Sequence, residues 1–145
     1  MSALPLVLDS AGLDGLCQHR PPDLLRALLA EAHRRGRDVI VPTIVCAELA
    51  RGSRRTRALE AAVGRHKPRE GERPPLRLID TDFDLARQVG AVLHSVSSGS
   101  ERIVDAHVVA CCVPTGGGLV VTSDPNDILE LADAVPAVRV RLARL

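Results

Sequence analysis

A single phenylalanine, Phe83, is the whole aromatic content of this 145-residue chain, which has no Trp and no Tyr. Folds that bind nucleic acid by stacking bases on exposed rings, including the usual RNA-recognition sheet and the OB barrel, are thereby excluded. Any contact with nucleic acid must be ionic or metal-mediated. Lysine is as scarce: Lys67 stands beside 18 arginines, a bias that a GC-rich genome produces, so the number of arginines alone says nothing about phosphate binding. No C-x-x-C pair occurs, and of the four cysteines, Cys17, Cys46, Cys111 and Cys112, two are adjacent. That spacing suits neither a zinc knuckle nor an ordinary bridge, and the four are read as small buried thiols in a reducing cytoplasm. The longest apolar runs, Leu4 to Leu8 and Val108 to Val113, fall far short of the ~20 residues that span a bilayer. No basic region leads into a long apolar stretch at the N-terminus, so neither a membrane span nor secretion is expected, and the expected location is cytoplasmic.

What is present is enough for a core. With 46% hydrophobic residues, 26% charged residues and a net charge of +1, the chain is expected to form one domain over residues 1–145. Leu4 to Leu8, ending in Asp9, and Val39 to Val41, ending in Pro42, are short continuous apolar runs shaped like strands buried on both faces; Leu76 to Ile79 and Leu119 to Val121 repeat the pattern. Between them Leu24, Leu25, Leu28, Leu29 and Ala32 recur at helical spacing before Gly36, and Leu85, Val89, Val92, Leu93 and Val96 do so after Asp82. This alternation predicts an α/β domain around a mostly parallel sheet. Val138 to Leu142 alternates apolar residues with Arg, which suits a strand near a sheet edge with one wet face. The segment Lys67 to Pro75, rich in Pro, Gly and charge, is expected to be a loop.

Carboxylates occur where they are costly. Asp9 follows the first apolar run and Asp124 follows Leu119 to Ser123, which puts both at C-terminal strand ends, the edge where open α/β sheets bind ligands. Each could instead simply cap a helix, Asp124 all the more because Pro125 and Asp127 follow it as a first-turn Pro and acid. Glu48 falls inside the apolar stripe of Ile44, Val45 and Leu49, so it is no solvated-face glutamate. From Ile103 to Val113 the chain is apolar on nearly every side apart from Asp105 and His107, as in a central helix, although its Val content leaves a strand reading open. A buried Asp105 demands a cation, either an arginine or a metal. His107 reads as a satisfied core or interface histidine. Taken together, four acids at one sheet edge repel one another. Oxygen-only ligands that resolve such repulsion favour Mg²⁺ or Mn²⁺ over zinc, and a site of this kind suits attack on a phosphodiester. Thr115 to Gly118 precedes a strand rather than following one, so it reads as a turn and not as a phosphate loop; no Gly-x-Ser-x-Gly element is present.

Leu6 to Ser10, Val41 to Gly52, Val104 to Ala106 and Val120 to Asp127 resemble, in order and spacing, the successive signature segments of PIN-domain nucleases, most of all the VapC-type toxins of bacterial toxin–antitoxin pairs. The resemblance implies a three-layer, PIN-like sandwich, Mg²⁺-dependent endoribonuclease activity with Mn²⁺ able to substitute, a homodimer, and a cognate antitoxin that blocks the site. Position by position, Asp9, Glu48, Asp105 and Asp124 match the family's acidic quartet, and Asp127 matches a further acid that part of the family uses. In the enzyme reading Asp9, Asp105 and Asp124 hold Mg²⁺ while Glu48 completes the metal shell or positions the attacking water. A non-catalytic PIN-like module acting through a protein partner is the rival. A phosphoacceptor receiver domain fits less well, since Asp9 stands without an adjacent acid and Lys67 does not follow a central strand. Arg51 to Arg57 carries four positive charges and no acid; guidance of RNA phosphates and a merely solvated face are equally open readings.

Overall fold

Leu6-Val7-Leu8 offers apolar side chains on both faces, and the fold uses both: each of the three is at most 1% exposed. The structure is a computed structural model that describes residues 3–65 and 76–145; the expected loop Lys67 to Pro75 lies outside the described residues. Strand β1 (Leu6–Leu8) pairs in parallel with β2 (Val39–Pro42), Leu6 opposite Val39, and with β4 (Gly117–Thr122), Leu8 opposite Val121. Strands β3 (Arg77–Ile79) and β5 (Arg139–Arg144) extend the sheet in the order β3-β2-β1-β4-β5, and every pairing is parallel. The helices are α1 (Ser10–Cys17), α2 (Asp23–Arg34), α3 (Thr43–Leu49), α4 (Ser53–Arg65), α5 (Phe83–Ser95), α6 (Ile103–Ala110) and α7 (Pro125–Asp133). Helices α1 to α4 pack on one another, as do α5 to α7, and the two groups enclose the sheet. The result is the predicted α/β sandwich.

Strand order decides where a ligand can sit. From β1 the chain builds outward through β2 and β3, then returns to the other side of β1 for β4 and β5. The order therefore reverses between β1 and β4, and Asp9 and Asp124 follow their C-terminal ends, the position at which open α/β sheets bind ligands.

Local outcomes bear on the expectations. Segment 103–113 begins as helix α6, buried from Ala106 to Ala110, because packing on every side outweighs the modest strand preference of valine. Leu76 to Ile79 does contain a strand, but at the outer edge: Arg77, which interrupts the apolar residues, and Leu78 are exposed and Ile79 is half-buried, so the expected burial on both faces does not hold. On α2 only Leu25 and Ala32 of the stripe are buried, and Leu24 is 45% exposed. Strand β5 is the opposite edge, with Arg139, Arg141 and Arg144 exposed and Val140 and Leu142 half-buried, as the alternation requires. The turn expected over Thr115 to Gly118 ends at Gly116, which adopts φ +72°, and Gly117 and Gly118 already belong to β4, where a Cβ on Gly118 would come within 2.8 Å of Cys112 Sγ.

Candidate functional site

Asp9 leaves β1 as the residue before α1, only 7% exposed. Its backbone N–H donates to Val121 O at 3.2 Å, fastening it to β4. Its Oδ1 accepts the Gly12 N–H at 3.0 Å, so the capping role weighed for Asp9 is realised. Capping does not exhaust this carboxylate. Burial pushes its pKa up, the Thr122 hydroxyl and the Gly12 and Ala11 N–H groups oppose the rise, and the negative charge of Glu48 adds to it.

Thr122, which sequence reasoning passed over, is fully buried at the end of β4. Its hydroxyl donates to Asp9 and accepts the Asp124 N–H at 3.0 Å, so one O–H group links both strand-end acids. The available signal was a polar residue closing an otherwise apolar run. Ser10, likewise missed, donates its hydroxyl to Glu48 Oε2 and draws that half-buried carboxylate of α3 toward the end of β1. Glu48 thus has the inward placement read from its stripe.

Asp105 lies half-buried in the first turn of α6. Burial is the main reason its carboxyl is pushed up to about 6, and the negative charges of Asp9, Asp127 and Glu48 raise it further, while Arg102 pulls it down. Asp105 is therefore where four acids from β1, α3, α6 and α7 feel one another. Asp127, exposed in the first turn of α7, joins this group. Asp124 is exposed at the head of α7 and its side chain makes no capping bond, so the cap reading of Asp124 finds no support in the geometry.

Among the described residues, no three of His, Cys, Asp and Glu stand close enough to share one metal ion as direct ligands. The donor chemistry nevertheless fits a hard cation: all the groups are carboxylates, and at Asp105 the repulsion of three others is opposed by the charge of Arg102. Mg²⁺ commonly takes one or two carboxylates and keeps several waters, so an open arrangement of acids meets its needs where zinc would demand a closed set.

His107 does not join the acids. It is buried, its Nδ1–H donates to Ile103 O at 2.7 Å and its Nε2 accepts the Thr81 hydroxyl at 3.0 Å, which is the satisfied core histidine expected. No disulfide joins the cysteines, and burial pushes the Cys111 and Cys112 thiols up to about 11 and about 12. Arg54, Arg55 and Arg57 are exposed on α4, where Arg55 faces Asp14 at 3.7 Å.

A family model described as PIN domain matches residues 11–134. No curated protein matches the chain. Among solved structures the fold is similar to that of VapBC2 from Rickettsia felis, solved bound to a DNA fragment from their promoter, at 13% identity and a TM-score of 0.64 over 96% of this chain and 98% of that one. It is similar also to FitAB bound to an IR36 DNA fragment, at 17% identity and a TM-score of 0.59 over 93% and 94% of the two chains.

Proposed function

The chain belongs to the PIN domain family, and on that premise we propose that it is a Mg²⁺-dependent endoribonuclease, the toxin of a VapC-type toxin–antitoxin pair. The observation that carries this reading is the convergence on Asp105 of the charges of Asp9, Glu48 and Asp127 at the switch point of a parallel sheet. PIN domains are generally nucleases, and such a cluster of like charge has little structural use without a cation.

In the proposed site Asp9 and Asp105 would be the residues that hold the cation, and Asp124 and Asp127, too spread to complete a set of three direct ligands, would support it through their charge. A bound Mg²⁺ or Mn²⁺ supplies the positive charge that offsets charge developing on the scissile phosphate. Thr122 and the Gly12 N–H hold the Asp9 carboxylate in one orientation. Glu48, oriented by Ser10, accepts a proton from the attacking water or completes the metal shell. The apolar walls of β1 and α6 keep bulk water from the inner side of the acids. The proposed partners are an RNA substrate, a second copy of the chain and a cognate antitoxin, the last in keeping with fold neighbours solved as VapBC2 and FitAB on DNA. No helix among the described residues is long and apolar enough to cross a membrane.

The purified chain is expected to cleave single-stranded or looped RNA with Mg²⁺ or Mn²⁺ and to stop on addition of EDTA. Cleavage undiminished by excess EDTA, or no cleavage of any cellular RNA pool with metal present, overturns the proposal. The rival, a non-catalytic module acting through its protein partner, draws on the same open spacing of the acids, and the same assay separates the two.

A further inference from the structure

Arg102 closes the 3-10 turn Ser100–Arg102 that leads into α6. Its side chain is only 20% exposed. One guanidinium nitrogen donates to the backbone carbonyl of Asp127 at 2.9 Å, and the other terminal nitrogen faces Glu130 Oε1 at 3.3 Å. Both partners belong to α7, so one planar fork ties the entrance of α6 to the first turns of α7. Asp105 is three residues further along on one side of this tie, and Asp127 is on the other. A guanidinium fixed at two points leaves less freedom than a lysine held at one, because its donors lie in a rigid plane.

From this bridge we infer that Arg102 is a positioning residue of the acidic site, setting Asp127 beside Asp105 and thereby governing how tightly the two hold a divalent cation. The inference rests on the metal-dependent reading above. It differs in sign from what the charge of Arg102 would do alone. Removing a cation next to a cluster of acids, and releasing the Glu130 carboxylate, makes the site more negative and should tighten metal binding. Removing a positioning group should weaken it, since outer partners of metal ligands are worth roughly tenfold or more in affinity.

Mn²⁺ is titrated into metal-free protein without RNA, by calorimetry or electron paramagnetic resonance, for the parent, Arg102→Ala, Arg102→Lys and Glu130→Gln, each well below its melting temperature. The expected result is a loss of about tenfold or more in Mn²⁺ affinity for Arg102→Ala. Arg102→Lys, which keeps the charge but not the fork, should also lose affinity, and Glu130→Gln should lose less because the carbonyl bond survives. Tighter or unchanged Mn²⁺ binding in both Arg102 variants, with a parent that binds, overturns the positioning role alone. Weakened RNA binding in EDTA with Mn²⁺ affinity intact also overturns it, making Arg102 a phosphate contact. A parent that binds no Mn²⁺ overturns the metal reading and this inference with it.

Discussion

Asp105→Asn should make the metal-free protein more stable at neutral pH, although it removes a residue of the proposed site. In the folded chain the Asp105 carboxyl titrates at about 6 against a reference of 3.8, chiefly through burial and then through the charges of Asp9, Asp127 and Glu48. Because the folded value is the higher one, the native state holds the proton more tightly than the unfolded chain. Stability is therefore full below about pH 3.8, falls as the pH rises toward about 6, and levels off above that. A rise from 3.8 to about 6 corresponds to at most about 3 kcal/mol. Asp105 is only half-buried, and solvent screening brings the expected cost of its charge down to about 1–2 kcal/mol. Asn is close in shape and never ionises. In EDTA, urea unfolding should find parent and variant alike near pH 4 and the variant ahead by about 1–2 kcal/mol at pH 7, or about 2–4 °C in melting temperature for each kcal/mol. Saturating Mg²⁺ should stabilise the parent, by about 2.7 kcal/mol at a hundredfold excess over Kd, and the variant much less. A variant less stable than the parent at pH 7, or a difference that ignores pH between 4 and 7, would refute the claim that Asp105 is held charged against its surroundings.

Thr122→Val keeps the shape of a fully buried side chain but removes the hydroxyl shared by Asp9 and the Asp124 N–H. It should cost about 1–3 kcal/mol in urea unfolding and depress RNA cleavage, with Thr122→Ser restoring both; full activity in the valine variant would show that the link does not orient Asp9. For Asp124, whose side chain makes no capping bond, Asp124→Asn should abolish most cleavage while leaving melting in EDTA unchanged or higher. Retained cleavage would remove Asp124 from the site. Changing Arg54 and Arg55, both exposed on α4, to Ala should weaken RNA binding and flatten its salt dependence with Mn²⁺ affinity unaltered; equal salt slopes for variant and parent would leave the cluster a solvated face.

Some of this was determined by local sequence. An uninterrupted apolar run closed by an acid, as at Leu8 and Asp9, favours a buried strand presenting a carboxylate at its end, and β1 is one. Glu48 within an apolar helical stripe must point inward by periodicity alone. The alternation of Arg with Val and Leu near the C-terminus specified a half-wet strand, and β5 is one at the sheet edge. These are statements about neighbours in the chain, and spacing is sufficient for them.

Tertiary structure decided what depends on residues far apart in sequence. Leu76 to Ile79 was read like Leu6 to Leu8, yet the strand it contains is an edge; Arg77 interrupts its apolar residues, but only the strand order shows that no further strand lies beside it. The hydroxyl of Ser10 carries no signal of its own and that of Thr122 only its place at the end of an apolar run, and the approach of α3 to the end of β1, and of β4 to β1, turns them into supports for Glu48 and Asp9. The weight of Asp127 beside Asp105 likewise follows from α7 packing on α6. Electrostatic coupling depends on distance through space, and the chain order of the acids does not contain that distance.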